Sequence, residues 1–407
     1  MSNPTIHDDP TEPCPFQVNI PDEEVARMHR ILADTRLPDE PPIPGASWDY
    51  GVDLDWLKGM RDAWLNEFDW RAVEREMNTF SQFTVVIESL TLHFVHQKSS
   101  RPDAIPIILF HGWPGSFWEY HRSIKLLTDP PAGQPAFHVV VPSLPGYAFS
   151  TLPPKQGWSM ADNARIFDHL MTGVLGYSSY MAAGGDWGAL VTSYLGTPQY
   201  PACKVVQITA AHAKPTLGAL LTLPFFLLPA SWRSWLYSKV YSDTELYDFA
   251  RVGQLLRGGL GYFVEHATRP LTIGYALHDS PVGLLAWIGE KYSEFMDPAV
   301  ARTATQFILT TVSLYFLTGC FASAGLPYRD NLKSFSEKRE LRKPYGVIQF
   351  HHDVNNYPES WIRAQHPSLV FMRRHSQGGH FPGYEVPELL TEDLRELAAS
   401  QKALFTA

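Results

Sequence analysis

An aspartate stands among small residues in the run Gly184-Gly185-Asp186-Trp187-Gly188. A short apolar stretch, Ser178 to Ala183, precedes it, and an amphipathic one, Ala189 to Leu195, follows. A strand feeding a helix through glycines is the setting of a nucleophile elbow, where the tip residue takes a strained turn and its neighbours must lack side chains. The serine form reads G-x-S-x-G, whereas this one reads G-x-D-x-G and presents a carboxylate. A carboxylate at that position attacks carbon and leaves an alkyl ester on the protein. Asp186 would serve equally as an ordinary helix cap, which Asp does well, so residues elsewhere in the chain must separate the two readings.

His380 lies in Gly378-Gly379-His380-Phe381, a loop after an expected strand. Imidazole titrates near neutral pH and can act as a general base, although most of the 16 histidines in such a chain serve structure. Asp353 follows the apolar run ending at Phe350, just past the carboxyl end of a strand, where open α/β sheets place their active sites. There it can orient His380 and stabilise an imidazolium, or it can simply form a turn beside Asn355 and Asn356. The order Asp186, Asp353, His380 is the nucleophile–acid–histidine order of one known triad arrangement. His111-Gly112-Trp113-Pro114 ends the strand expected beside the elbow strand. The N–H groups of Trp113 and Trp187 can hold the oxyanion formed when water cleaves the ester, while Pro114 offers no N–H.

Positioning these groups requires a sheet. Strand signals begin at Phe83, with Glu88-Ser89 as the turn of a hairpin. Ile105 to Phe110, His138 to Val141, the elbow strand, Lys204 to Ile208, Gly346 to Phe350 and Leu369 to Met372 are nearly uninterrupted apolar runs. Such runs, alternating with helical patterns, predict a mostly parallel sheet covered on both faces. The helix from Ser159 opens with Ser-x-x-Asp, a variant capping box, and the last helix opens at Pro387. Residues 1–80 read as helical and carry no catalytic constellation. Between residues 214 and 330 β-branched runs give way to Leu, Phe, Trp and Tyr in helical stretches such as Val282 to Tyr292 and Thr305 to Leu317. The expected plan is therefore an α/β core of residues 81–213 and 331–407, a helical lid of residues 214–330, and a helical N-terminal extension of residues 1–80 packing on the core.

A chain of 407 residues with 45% hydrophobic and 18% charged residues is an ordinary globular protein with room for a large core. A net charge of −9 gives no reason to expect a nucleic acid or an anionic membrane as partner. Three cysteines, odd in number and far apart, argue for reduced thiols and a cytoplasmic compartment. The polar, acidic, proline-bearing residues 1–15 resemble no targeting peptide. The longest apolar run, Leu217 to Ala230, contains Pro224 and Pro229 and falls short of the roughly 18 residues of a membrane span. Weak membrane contact through that run is left open, as is a homodimer.

Taken together, the motifs resemble epoxide hydrolases of the α/β-hydrolase superfamily, specifically the microsomal-type branch with a helical N-terminal extension. The resemblance covers about Phe16 to Leu397. It rests on Pro15-Phe16-x-Val18 and Arg36-Leu37-Pro38, His111 to Ser116, Pro145-Gly146-Tyr147, Gly184 to Gly188, Asp279 to Leu284, and Gly378 to Phe381. It implies an α/β-hydrolase fold, with Asp186 as nucleophile, His380 as base and Asp353 as acid, where membrane-bound relatives usually have Glu. It further implies that Tyr328, in Leu326-Pro327-Tyr328-Arg329, and Tyr262, in Gly261-Tyr262-Phe263, hold the epoxide oxygen. The substrates would be a small apolar epoxide and water, the product a vicinal diol, and no metal or cofactor would take part. Two features depart from the family: its N-terminal membrane anchor is missing, as in soluble fungal-type members, and Phe381-Pro-Gly-Tyr-Glu385 stands where Phe-Ala-Ala-Leu/Phe-Glu is usual. A haloalkane dehalogenase using the same Asp, His and acid, or a binding protein that has lost catalysis, is the alternative.

Overall fold

The apolar runs become strands β1 (Cys14–Phe16), β2 (Gln82–Ile87), β3 (Leu90–Gln97), β4 (Ile105–Phe110), β5 (Phe137–Pro142), β6 (Tyr180–Gly184), β7 (Cys203–Thr209), β8 (Tyr345–Phe350) and β9 (Leu369–His375). The structure, a computed structural model, describes residues 11–153, 155–209, 213, 230–335, 337 and 339–405. Among these the strands form one sheet in the order β1-β2-β3-β5-β4-β6-β7-β8-β9. Pairing is antiparallel from β1 to β5 and parallel from β5 onward. Every residue of β6 and of β8 is buried, as expected for parallel strands covered on both faces. The β2–β3 turn is Glu88-Ser89, with φ of 50° and 71°, the left-handed pair that a tight hairpin turn needs.

Helices α1 (Asp22–Asp34), α2 (Leu54–Asn66) and α3 (Trp70–Met77) precede the main sheet. One expectation changes here. The N-terminal segment is not wholly helical, because β1 adds an edge strand through Cys14–Thr84 and Phe16–Gln82 pairing. A three-residue strand is too short to show a period, so its place in the sheet is set by its partner. The three helices also pack against the helices that follow β7, rather than on the sheet core alone. A Cβ on Gly289 would sit 2.5 Å from the Trp56 ring, so the two segments meet closely there.

Helix α4 (His121–Thr128) packs beside β5, α5 (Met160–His169) follows, and α6 (Asp186–Leu195) continues directly from the elbow strand. Ser159 and Asp162 cap α5 reciprocally, as the sequence predicts. After β7 come α7 (Ala230–Val240), α8 (Asp243–Gln254), α9 (Gly261–Thr268), α10 (Pro270–Leu277), α11 (Pro281–Phe295), α12 (Thr305–Thr318) and α13 (Leu326–Asp330). Residues 214–229, and with them nearly all of the Leu217 to Ala230 run, lie outside the described residues. Helix α12 is buried continuously from Phe307 to Phe316, which matches a sequence apolar on every side. No single described helix is long and apolar enough to cross a membrane. The last long helix, α14 (Pro387–Ser400), begins at the expected proline.

Polar side chains fix the inserted helices to the loops at the carboxyl ends of the strands. The Tyr147 hydroxyl donates to the Ala324 carbonyl at 2.9 Å, and the Tyr315 hydroxyl to the Gly115 carbonyl at 2.9 Å. Ser323 donates to the Gly146 carbonyl at 2.6 Å, while Asn331 accepts from the Met160 N–H at 2.8 Å and donates to the Trp158 carbonyl at 3.2 Å. Gly146 has φ of 81°, and a Cβ there would press on Ser323 at 3.2 Å. The Pro145-Gly146-Tyr147 motif is thus an anchor for the helices above it.

Candidate active site

Asp186 sits at the junction of β6 and α6 with φ of 50°. A non-glycine residue in that region stores strain of about 1–3 kcal/mol and persists only where its surroundings hold it. The glycines explain how. A Cβ on Gly112 would overlap the Asp186 carboxylate, and one on Gly188 would overlap the Phe110 carbonyl. A Cβ on Gly184 would lie 2.7 Å from the backbone of Gly188. The helix start and the end of β4 can approach only because these positions lack side chains. Gly188→Ala should therefore cost about 1–3 kcal/mol or more, the range for overpacking, because the opposing atom is strand backbone. A urea-unfolding midpoint equal to that of the parent protein would contradict this.

The carboxylate meets defined partners. Its Oδ1 accepts from the Trp113 N–H at 2.8 Å, and its Oδ2 lies 3.7 Å from His380 Nε2. His380 Nδ1 bonds Asp353 Oδ1 at 2.9 Å. Asp353 is 1% exposed and His380 8%, so the pair is screened from water, while the Asp186 side chain retains 23% exposure toward a cavity. Burial disfavours the His380 imidazolium. Charge and hydrogen bonding from Asp353 and Asp186 outweigh that cost and hold its pKa well above the ordinary imidazole value. Trp187 follows in the first turn of α6, where main-chain N–H groups have no partner within the helix.

Below the elbow, His111 performs a structural task. Its Nε2 accepts from the Leu144 N–H at 3.1 Å, joining the loops after β4 and β5, and burial lowers its pKa to about 4. It therefore stays neutral, as an acceptor must.

Beside Asp186 lies a cavity of about 810 Å³ whose lining includes Asp186, Trp187, Leu190, Ile208, Leu255, Leu260, Tyr262, Phe263, Phe295, Tyr328, Phe335 and His380, together with Glu337, Arg339 and His366. Tyr262 from α9 stacks on Trp113, centroids 4.9 Å apart at 9°. Tyr328 from α13 stands edge-on to Trp187 at 4.7 Å and to Tyr262 at 5.8 Å. The Tyr328 hydroxyl is buried and makes no hydrogen bond of normal geometry among the described residues. Burial first, and then the neighbouring Tyr262 and the Asp186 charge, raise the Tyr328 pKa; burial and Asp186 do the same for Tyr262. Both phenols thus remain protonated donors well beyond neutral pH. Of the seven residues singled out in the sequence, Asp186, Trp187, Tyr262, Tyr328 and His380 line this space, while Asp353 and Trp113 are joined to it through their bonds to His380 and Asp186.

Two buried acids beside the site escape sequence reading. Glu119, on the turn after His111 to Ser116, is pushed up to about 8 by burial, with His380 opposing and Glu385 and Asp186 adding to the shift. Glu385 is raised to about 7 by burial, against two backbone N–H bonds that favour its charge. Glu is mostly a surface residue, and nothing local marks these two as buried. The available signal was the unusual segment Phe381 to Glu385 next to His380.

An elbow carboxylate and a histidine–acid pair at the carboxyl edge of a mostly parallel sheet mark the α/β-hydrolase class, with Asp at the elbow position. Comparison with known proteins narrows the class. Residues 13–120 match the family described as epoxide hydrolase N terminus, and residues 105–263 match the alpha/beta hydrolase fold. A putative epoxide hydrolase of Stigmatella aurantiaca is 36% identical over 390 residues, 94% of this chain and 84% of that protein. Epoxide hydrolase 1 of Sus scrofa is 35% identical over 94% of this chain and 87% of its own length. Among solved structures, an Aspergillus niger epoxide hydrolase superposes with a TM-score of 0.82 at 37% identity, covering 96% of this chain and 97% of that one. Juvenile hormone epoxide hydrolase from Bombyx mori gives 0.84 at 26%, covering 97% and 96%. The chain belongs to the epoxide hydrolase family.

Proposed function

We propose that this epoxide hydrolase opens small apolar epoxides to vicinal diols through an ester on Asp186. The observation that carries the reading is the meeting of an elbow carboxylate, a histidine–acid pair and two protonated phenols around one largely apolar cavity. Asp186 Oδ2 attacks a ring carbon and the C–O bond of the strained ring breaks. Tyr262 and Tyr328 donate to the departing oxygen and supply its proton. The ester carbonyl is then Asp186 Oδ1, held by the Trp113 N–H, with Trp187 as second donor. His380, oriented by Asp353, takes a proton from water, which adds to the ester carbon. Collapse of the oxyanion breaks the ester C–O bond; the departing alkoxide takes the hydroxyl proton of the new carboxyl group, which restores the carboxylate and frees the diol, and the proton on His380 returns to the tyrosinate.

The division of labour follows the chain plan: residues 81–213 and 331–407 supply nucleophile, base and acid, residues 214–330 supply the phenols, and the helices of residues 1–80 pack on α11 and α12. The free cysteines Cys14, Cys203 and Cys320 support a reducing, cytoplasmic setting, and no step needs a second copy of the chain. A dehalogenase would require halide donors facing Asp186 in place of paired phenols. The test is a single turnover in ¹⁸O-water. Label should enter the Asp186 carboxylate and leave the first diol unlabelled, whereas label in that diol would mean direct attack by water.

A further inference from the structure

The loop carrying His380 is held by carboxylates that the mechanism above does not use. It lies on the turn that ends α11, Phe295-Met296-Asp297. The His380 N–H donates to the Phe295 carbonyl at 3.0 Å, and the Gly378 N–H donates to Asp297 Oδ2 at 3.0 Å. Glu385 closes the arrangement from the other side. Its Oε1 accepts from the Phe381 N–H at 2.8 Å and its Oε2 from the Asp297 N–H at 2.6 Å. A Cβ on Gly379 would meet the Phe295 carbonyl at 2.5 Å and the Asp297 nitrogen at 2.7 Å, so the two backbones touch. Asp297 Oδ1 also accepts from the Ala299 N–H at 2.9 Å, fixing that carboxylate in turn. Both acids are 8% exposed. Buried acceptors with two partners each hold geometry far better than surface contacts do.

We propose that Glu385 and Asp297 are positioning residues for His380, a paired carboxylate clamp that ties the base-bearing loop to α11 and sets its reach to the Asp186 ester. Phe295 lines the cavity and also accepts the His380 N–H, so the clamp joins the wall of the substrate space to the base. Asp186 and the two phenols lie on α6, α9 and α13, outside the clamp. Loosening it should therefore affect the step that needs His380 and spare the step that does not. A misplacement near 1 Å can cost about 10²-fold in rate.

Glu385→Gln keeps the shape but leaves one oxygen to accept from two N–H groups, and sets an amide donor against one of them. This inference rests on His380 acting as the hydrolytic base, which His380→Gln tests separately. In single-turnover experiments with an epoxide such as styrene oxide, Glu385→Gln should form the Asp186 ester in full stoichiometry, within about threefold of the parental rate. Ester hydrolysis should slow about 10–10²-fold, so the adduct persists in the intact-mass spectrum. Asp297→Asn should show the same split, and it carries the test alone if the first variant does not fold. Equal loss of both steps would mark general destabilisation and overturn the clamp, as would parental hydrolysis rates in either folded variant. If His380→Gln forms no adduct, the base assignment fails; if it does and the clamp variants show no split, the clamp alone fails.

Discussion

Replacing His380 with glutamine should leave ester formation running and halt its hydrolysis, so that protein plus substrate accumulates at one equivalent. Opening the epoxide uses Asp186 and the phenols, whereas cleaving the ester needs a base for water. General bases contribute about 10²–10⁴-fold, and turnover should fall within or beyond that range. The electrostatics add a pH signature. In the free protein, Asp353 and Asp186 together hold the His380 pKa well above the usual imidazole value despite burial. Esterification removes the Asp186 charge and its contribution, so the His380 pKa falls as the intermediate forms and the neutral base becomes more abundant. A protonated imidazole cannot accept a proton. Ester hydrolysis should thus rise with pH and level off, and fall as pH drops through the His380 pKa of the ester state. Quenched single-turnover rates across pH measure this directly. A rate that rises as pH falls, or a folded His380→Gln variant with neither adduct nor turnover, would remove His380 from this role.

The second large effect belongs to the phenols. Tyr328→Phe should slow ester formation by up to about 10²–10³-fold, the usual cost of losing one oxyanion donor, with the remaining tyrosine softening the loss. The Tyr262→Phe/Tyr328→Phe double variant should be nearly inactive, because no other protonated donor is assigned to the departing oxygen. Folding should be little affected. Among the described residues the buried Tyr328 hydroxyl makes no hydrogen bond of normal geometry, and replacing such a group with an apolar ring of the same shape costs little. Stopped-flow tryptophan fluorescence is a suitable readout, since Trp113 and Trp187 touch both rings. Full epoxide turnover by the double variant would end the two-tyrosine mechanism. Turnover of haloalkanes but not epoxides by the parent protein would favour a dehalogenase.

The sheet and the elbow were legible because their signals are local. Uninterrupted apolar strands, Gly184 to Gly188, and the Ser159–Asp162 and Pro387 helix starts each follow from a few neighbouring residues and short-range sterics. The strand β1 was not legible, because three residues carry no periodicity and pair only where β2 offers an edge. The same limit governs the chemistry. Sequence supplied Asp186, Asp353 and His380 as candidates through their place after strands, yet His111 sits in an equally suggestive motif and proves to be a buried neutral acceptor. Hydrogen-bond partners and burial decided between them, and both are properties of distant segments brought together. Glu119, Asp297 and Glu385 show the same point most sharply. By residue type they belong on the surface, and only the convergence of α11, the loop after β4 and the His380 loop places them in the interior. Residue identity determined which groups can do chemistry; the tertiary structure, by setting solvent exclusion and charge proximity, decided which of them are poised to do it.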